Sequence, residues 1–397
     1  MRLPGAALRE RMKNGRKARV EARVEGARKR TLDLIDEMGE EYFLASQWKL
    51  MWRKFTKHRL AKLGGGTMII MATLAIFCEF FSPYDIYDRH KEYIYAPPQR
   101  IHLFDNGKLS WPFVYGIDME MDRETFIKNY TENTDEKHPL KLFHKGDEYK
   151  FLGLIPSRIH FFGVDLPAYV HLFGTDQLGR DLFSRVLYAA RISMSVGLVG
   201  VAISFILGCL LGGVSGYYGG AADMVIQRII EFLNNIPRIP LWMALSAALP
   251  PDWPIINVYF GITVILSIIG WTGLARVVRG KLLANREEDY VLAATIAGTK
   301  ELAIIRRHLL PSFMSHLIVS LTLAIPGMIL GETALSFLGI GMRPPAVSWG
   351  VLLQNAQNVR TVALHPWLMI PGIFVVVLVL AFNFLGDGLR DAADPYK

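Results

Sequence analysis

The chain holds only two cysteines in 397 residues, Cys78 and Cys209. Both fall inside apolar runs, so neither a disulfide framework nor a cysteine-based metal site is available. Nucleotide-binding glycine loops are missing too. No Gly-x-x-x-x-Gly-Lys-Ser/Thr occurs, and Arg279-Gly280-Lys281 lacks both the preceding glycine and the hydroxyl residue. There is no Gly-x-Ser-x-Gly elbow and no His-Glu-x-x-His helix, which removes two common hydrolase sites. His308, His316 and His365 are too scattered to suggest a metal centre. A signal peptide is also lacking. The first apolar run begins about 60 residues in and is long enough to span a bilayer, so the N-terminus is expected to stay in the cytoplasm.

What is present is apolar. Hydrophobic residues make up 51% of the chain against 20% charged, and the charge is gathered into a few segments. That balance fits a membrane protein with one large water-exposed insertion. The net charge of +8 comes mainly from residues 2–62. A basic segment abutting an apolar span marks a cytoplasmic flank rather than a nucleic-acid footprint. Residues 1–41 read as a helical or disordered extension. Then Phe43, Trp48, Met51, Trp52 and Phe55 recur at helical spacing, with Lys49, Arg53, Lys54 and Lys57 between them. Such a helix lies in a membrane interface or docks on another protein.

Hydropathy predicts six spans, near 63–81, 192–214, 224–249, 255–277, 313–338 and 366–385. Gly208, Gly212 and Gly216 form a row that permits close helix packing. The loop 279–307 is cationic, whereas the other short loops carry few or no Lys and Arg. Six crossings with both termini in the cytoplasm put the basic segments on one side. Residues 84–171 form a long polar, aromatic-rich loop outside. Glu148–Phe151, Lys91–Tyr95 and Ile159–Phe162 read as short strands, with turns at Pro97-Pro98 and Asn106-Gly107. Trp111, Phe113, Tyr115, Phe126 and Tyr149 could form a small core there.

Two further patterns stand out. Asp289-Tyr-Val-Leu-Ala-Ala-Thr-Ile-Ala-Gly298, followed by 301–311 ending in Pro311, is a helix-prone charged loop longer than a connection needs. Ala293 and Ala294 are followed by Gly298; on a helix Ala294 and Gly298 share a small face that admits a partner closely. Glu287, Glu288, Asp289, Arg306 and Arg307 could frame it with ion pairs. Upstream of the second span stands His171-Leu-Phe-Gly-Thr-Asp-Gln-Leu-Gly-Arg-Asp181, with Gly174, Thr175, Asp176, Gly179, Arg180 and Asp181 expected just outside the membrane. Asp176 is expected to cap a helix starting near Gln177, leaving Arg180 and Arg185 to face headgroups or a partner chain. Glu332 is a lone carboxylate within the fifth span: either part of a polar gate or an acid snorkelling to the outer edge. Glu79 reads as an outer-edge acid.

The spacing of the 289–311 loop resembles the EAA loop of ABC-importer permeases, although Leu292 and His308 replace the usual Glu and Ile. The segment 171–191, the run Ala334-Leu-Ser-Phe-Leu-Gly-Ile-Gly341 with Pro344-Pro345 and Ser348-Trp-Gly350, and Asn383-Phe-Leu-Gly-Asp-Gly-Leu-Arg-Asp391 with Asp394-Pro395 resemble the C-type subunit of dipeptide, oligopeptide and nickel importers. The resemblance implies an all-α membrane protein with the six-helix fold of type I importers and a small extracytoplasmic α+β insert. Together with the hydropathy reading it divides the chain into a cytoplasmic basic extension with the interfacial helix over 1–62, a first membrane helix over 63–82, the insert over 83–171, a permease core over 172–390 containing the coupling loop 285–311, and a cytoplasmic tail over 391–397; the extension and the long insert depart from the short family pattern and resemble its longer-looped members. It further implies a bacterial inner-membrane subunit that binds no cofactor itself. Its partners would be a second, B-type permease subunit, two ATPase subunits carrying ATP and Mg, and an extracytoplasmic substrate-binding protein. Peptides are the expected cargo, with oligosaccharides as the alternative. A secondary transporter would show inverted repeats and midplane charges, and the sequence shows neither.

Overall fold

The computed structural model describes residues 47–393 apart from 106, 122 and 125–127. The extension before residue 47, with Phe43, and the positions Asn106, Phe126 and Asp394-Pro395 lie outside the described residues. The chain divides into two units, one of residues 1–58 with 391–397 and one of 59–390. In the first, the expected amphipathic segment is a helix, α1 (Gln47–Lys57), with Lys54 and Lys57 in its last turn and Trp52 stacked on Phe55.

The second unit carries the membrane helices. Among the described residues five are long and apolar enough to cross a bilayer. They are α2 (Arg59–Ile76), which short α3 (Cys78–Phe81) follows; α4 (Leu182–Tyr218); α7 (Ile255–Asn285); α11 (Met314–Phe337); and α14 (Ile370–Ala393). The expected third span is not one helix. It is divided into α5 (Gly220–Asn235) and α6 (Arg238–Ala247). Pro237 is the reason. Proline offers no N–H and pushes its predecessor out of the helical region, and Ile236 is extended at φ −89°, ψ 129°.

The broken pair still traverses the unit. Gly208 of α4 packs on Leu274 of α7, Gly212 on Ala275 and Gly216 on Arg279, so α4 and α7 run parallel. The segment between them must therefore return the chain to the side where α4 began. Asp223 of α5 pairs with Arg279 at 2.5 Å, while Trp242 of α6 reaches Gly331 and the Leu266 cluster. Those α7 neighbours are separated by roughly 20 Å of helix. A Cβ at Gly212 would stand 2.5 Å from the Ala275 carbonyl oxygen, so the predicted glycine row is what lets the two backbones meet.

Other pairings set the sides. Ala75 at the end of α2 meets Arg191 near the start of α4, whereas Gly64 lies against Ala381 and Phe384 of α14. Ser193 of α4 faces Glu332 of α11 and Gly197 faces Ile329, so α4 and α11 are antiparallel. The start of α2, the end of α14 and the loop 286–312 share one face, and the insert occupies the other.

The insert is antiparallel β, with no α-helix among its described residues. Strands β1 (His102–Asp105), β2 (Lys108–Met121) and β3 (Lys128–Pro139) form one sheet; β4 (Lys141–Phe151) and β5 (Ile155–Gly163) form a hairpin. The strand expected at 91–95 is a 3-10 turn, Lys91–Tyr93, while those at 148–151 and 159–162 are present. Its core is aliphatic more than aromatic. Val114, Leu140, Phe162, Val164, Ala168 and Val170 are buried together against Phe183 at the root of α4. Phe113 is buried as expected, but Trp111 is exposed.

Candidate functional site

Three clusters gather the residues singled out by the sequence. The first is the seat between the insert and α4. Residues 171–181 fold into a tight loop in which Asp176 N–H donates to the Arg180 carbonyl at 3.1 Å and Leu182 N–H to Gly174 at 3.0 Å. The helix begins at Leu182, not near Gln177. Its cap is Asp181, whose carboxylate accepts from Ser184 N–H at 2.7 Å. Asp176 has a different task. Its carboxylate accepts from the N–H groups of Leu178 (2.8 Å) and Arg180 (3.1 Å), from Arg180 Nε (2.8 Å) and from the Arg185 guanidinium. Asp176 and Arg185 are 1% and 2% exposed. Both arginines thus turn inward to one buried acid, neither toward headgroups nor toward a partner. A charge this deep survives only when paired and hydrogen-bonded.

The same loop receives the start of the insert. Thr175 N–H donates to Ala96 at 2.9 Å and Ala96 N–H returns a bond to the Thr175 hydroxyl at 2.8 Å, while Trp367 Nε1 donates to the Thr175 carbonyl at 3.0 Å. Gly174 and Gly179 sit at φ +73° under this chain. A Cβ on Gly174 would meet Ala96 O at 2.6 Å, and one on Gly179 would strike the His90 backbone. Only glycine fits both the left-handed backbone and the close approach.

A chain of rings completes the seat. Asp181 bonds His171 Nδ1 at 3.0 Å, and His171 Nε2 lies 3.3 Å from His90 Nδ1. The His90 pKa is pushed down to about 4, first by burial and then by the His171 ring, against weaker upward pulls from Asp181 and Asp147. A histidine with a depressed folded pKa is docked neutral. Its contribution is complete above the ordinary value of about 6.5 and is lost as pH falls toward the folded value, because the unfolded chain binds the proton first. The melting temperature of the purified protein is therefore expected to fall between pH 7 and pH 5, and His90→Gln to flatten that fall. An unchanged slope in the variant would contradict this.

The second cluster surrounds Glu332, which is fully buried inside the subunit rather than snorkelling to an edge. Its carboxylate accepts from Ser336 at 2.8 Å, Ser348 at 2.7 Å and Ser193 at 3.3 Å. Each serine also accepts a backbone N–H: Met342 on Ser336 (3.0 Å), Val351 on Ser348 (3.3 Å) and Trp349 on Ser193 (3.2 Å). The hydroxyl protons are thereby directed at the acid. This knot joins α4, α11 and a short helix, α12 (Trp349–Gln354), capped by Ser348. Wholly buried Trp349 adds a bond to Val186 O at 3.1 Å. Ser336 and Ser348 lie in a motif already noted, but Ser193 stands 139 positions from Glu332. No local pattern reveals that pairing. Glu79 is likewise buried, held by two Arg191 bonds at 2.6 and 2.5 Å.

The third cluster is the loop on the opposite face. Asp289 opens α8 (Asp289–Ile296), where a carboxylate complements the helix dipole. Val291 is buried and Ala294 partly buried against Leu282, Ile304, Ile305 and Leu309. Leu292, Ala293 and Ile296 point outward, and Ile296 is 88% exposed. The expected face is thus split: Ala294 looks inward and Ala293 outward. Gly298 does not share a helical face with Ala294. It is the left-handed residue past the helix end at φ +76°, and Thr299 N–H closes onto Ala294 O at 3.1 Å. Open space surrounds its Cα. Pro311 begins the turn into α11, preceded by one π-helical turn, Ile305–Leu309, which absorbs the missing proline N–H. Glu287 pairs instead with the adjacent Arg286 at 3.6 Å, a residue outside the expected set, and Arg306 and Arg307 are exposed.

Residues 204–396 fit the model of the binding-protein-dependent transport system inner membrane component, and residues 46–98 that of the N-terminal membrane domain of oligopeptide transport permease C. The dipeptide permease protein DppC of Bacillus subtilis is 43% identical over 230 residues, 58% of this chain and 70% of that protein. The oligopeptide permease protein OppC of Haemophilus influenzae is 40% identical over 57% of this chain and 70% of its own length. The glutathione permease protein GsiD of Pectobacterium atrosepticum is 37% identical over 58% of this chain and 74% of its own. Among solved structures, the inward-facing MetNI methionine ABC transporter overlaps 52% of this chain and 96% of the matched chain at 17% identity and a TM-score of 0.40. The chain belongs to the inner-membrane permeases of binding-protein-dependent transport systems, in their C-type branch, and is a multi-pass permease subunit of an ABC importer.

Proposed function

We propose that this subunit forms half of a passage for peptides, with a second, B-type permease chain as the other half and two ATPase chains, carrying ATP and Mg, seated on its coupling loop. The relatives named for dipeptides, oligopeptides and glutathione support peptides as the cargo. An extracytoplasmic binding protein would deliver it on the insert's face.

The observation that carries the coupling role is α8. Its inward side is fastened by Val291 to a buried cluster, so the helix cannot swing independently. Its outward side leaves Leu292, Ala293 and Ile296 exposed among the described residues. A short helix with a fixed base and a bare apolar face transmits force from whatever grips it. Ala293→Glu and Ile296→Glu should place charge in the gripped surface without touching the fold. Binding-protein-stimulated ATPase activity is expected to fall at least about tenfold, equivalent to about 1.4 kcal/mol of coupling, with normal membrane yield. Full stimulation in the assembled double variant would sink the assignment. Gly298→Val is a less direct probe, because the left-handed backbone there is strained by any side chain.

We further propose that the face shared by the α2 start, the α14 end and α8 is cytoplasmic. A cysteine at Lys145 should react with an impermeant maleimide from outside, and one at Lys300 only after the membrane is opened. Outside labelling at Lys300 would invert the topology.

A further inference from the structure

We propose that the tip of the β4–β5 hairpin is seated in the lipid leaflet on the insert's side of the membrane, making this subunit's insert a membrane-anchored element. The proposal rests on the membrane-spanning fold and not on the identity of the cargo.

Depth is the first argument. Phe151, the last residue of β4, stacks on Phe77 at 5.2 Å between ring centres. Phe77 immediately follows α2, the first membrane helix. The residues that turn the hairpin therefore lie at the level where that helix leaves the bilayer. Higher on the hairpin, Phe143 and Phe161 pack with Phe80 and Phe81 of α3, forming an aromatic collar.

Composition is the second argument. The tip reads Phe151-Leu-Gly-Leu-Ile155, with Leu152, Leu154 and Ile155 exposed by 50%, 81% and 63%. These values fall in the same broad range as those of Ile69, Ile70 and Ile76 on the outer side of α2, at 70%, 62% and 48%. Through the Phe77–Phe151 stack the two apolar surfaces are continuous. The side of α2 must meet lipid or another membrane chain, and the tip extends the same surface. Lys150 beside the tip is exposed and placed to reach lipid phosphates, whereas exposed Arg158 pairs with Glu148 at 2.8 Å.

Turn chemistry is the third argument. Leu152 and Gly153 both have positive φ, at +49° and +75°, and Leu154 N–H closes onto Phe151 O at 2.9 Å. The loop holds three residues, 152–154, and a pair of central residues in the left-handed region is ordinarily Asn-Gly or Asp-Gly, whose polar side chains suit water. Here a leucine holds the position that a polar residue fills in a solvated hairpin. The turn pairs two of its N–H groups internally, Gly153 with Lys150 O and Leu154 with Phe151 O, both at 2.9 Å, which lowers the cost of entering an apolar medium.

The test places an environment-sensitive fluorophore on Leu154→Cys in the assembled complex in nanodiscs of phosphatidylglycerol and phosphatidylethanolamine, with Cys209 replaced by alanine. Glu132→Cys, on the polar strand β3, is the reference, and retained ATPase activity certifies assembly. The expected result is loss of most Leu154 fluorescence with lipids spin-labelled high on the acyl chain, little loss with aqueous iodide, and the opposite pattern at Glu132. Iodide quenching without lipid quenching at Leu154 would overturn the proposal, because the tip would then be in water. Quenching by neither would overturn it too, because a protein chain would then cover the tip. Ile155→Cys provides a second site that must give the same answer.

Discussion

Replacing Asp176 by alanine is expected to destabilise the subunit by about 3–5 kcal/mol, the cost of leaving a buried charge without its partner. Two guanidinium groups converge on this carboxylate, and Arg185 is almost wholly enclosed. The alanine variant strands both, and it also removes the acceptor for the Leu178 and Arg180 N–H groups. Arg180→Ala should be milder, since Asp176 then keeps Arg185 and both backbone donors. Thermal melting of the purified complex gives the order. An Asp176→Ala protein that melts with the wild type, or above Arg180→Ala, would show that the acid is not the centre of this seat.

Glu332→Ala should be nearly as damaging, for another reason. Three serine hydroxyls lose their acceptor in a site without water access. Each buried donor left unsatisfied costs about 1–3 kcal/mol, so a loss of at least about 3 kcal/mol is expected. Glu332→Gln keeps an acceptor oxygen for Ser336 and Ser348 and presents an amide that Ser193 can accept, so it should retain most of the stability. Measuring both melts together distinguishes the knot from a gate. Equal transport and stability in all three proteins would mean that the serines find other acceptors. A Glu332→Gln protein that is stable but inactive would assign the acid a role in transport.

Much of this was legible in the residues. Hydropathy located the five long membrane helices, because about 20 apolar residues in a row have few other uses, but α4 begins about ten residues before its expected start and α7 runs about eight beyond its expected end. The row at Gly208, Gly212 and Gly216 marked a close helix contact, without naming α7 as the partner. Pro237 and Pro240 were visible, yet hydropathy averages over them, so the break between α5 and α6 was not read. At the seat, the motif pointed to the right loop and the wrong cap. Asp176 and Asp181 both precede plausible helix starts, and only the fold shows which one the arginines claim. The partners His90 and Gln99 come from the insert, far from the motif in sequence. Long-range pairing of that kind leaves no periodic trace. At α8, residue types were read correctly, but Gly298 was given a packing role where the backbone assigns it a chain-reversing one.

Gln99 and His171 meet in a two-bond clasp, His171 N–H to the Gln99 side chain at 2.5 Å and Gln99 N–H to the His171 carbonyl at 2.9 Å. The polypeptide leaves the core and re-enters it at almost the same point. Everything between those residues is therefore topologically a closed appendage, whose length does not alter the spacing of the helices that bracket it. Such an arrangement lets one lineage lengthen, shorten or exchange the appendage while the machinery beneath it stays fixed. The clasp fixes where the appendage joins the core, whatever the length of chain between its two ends.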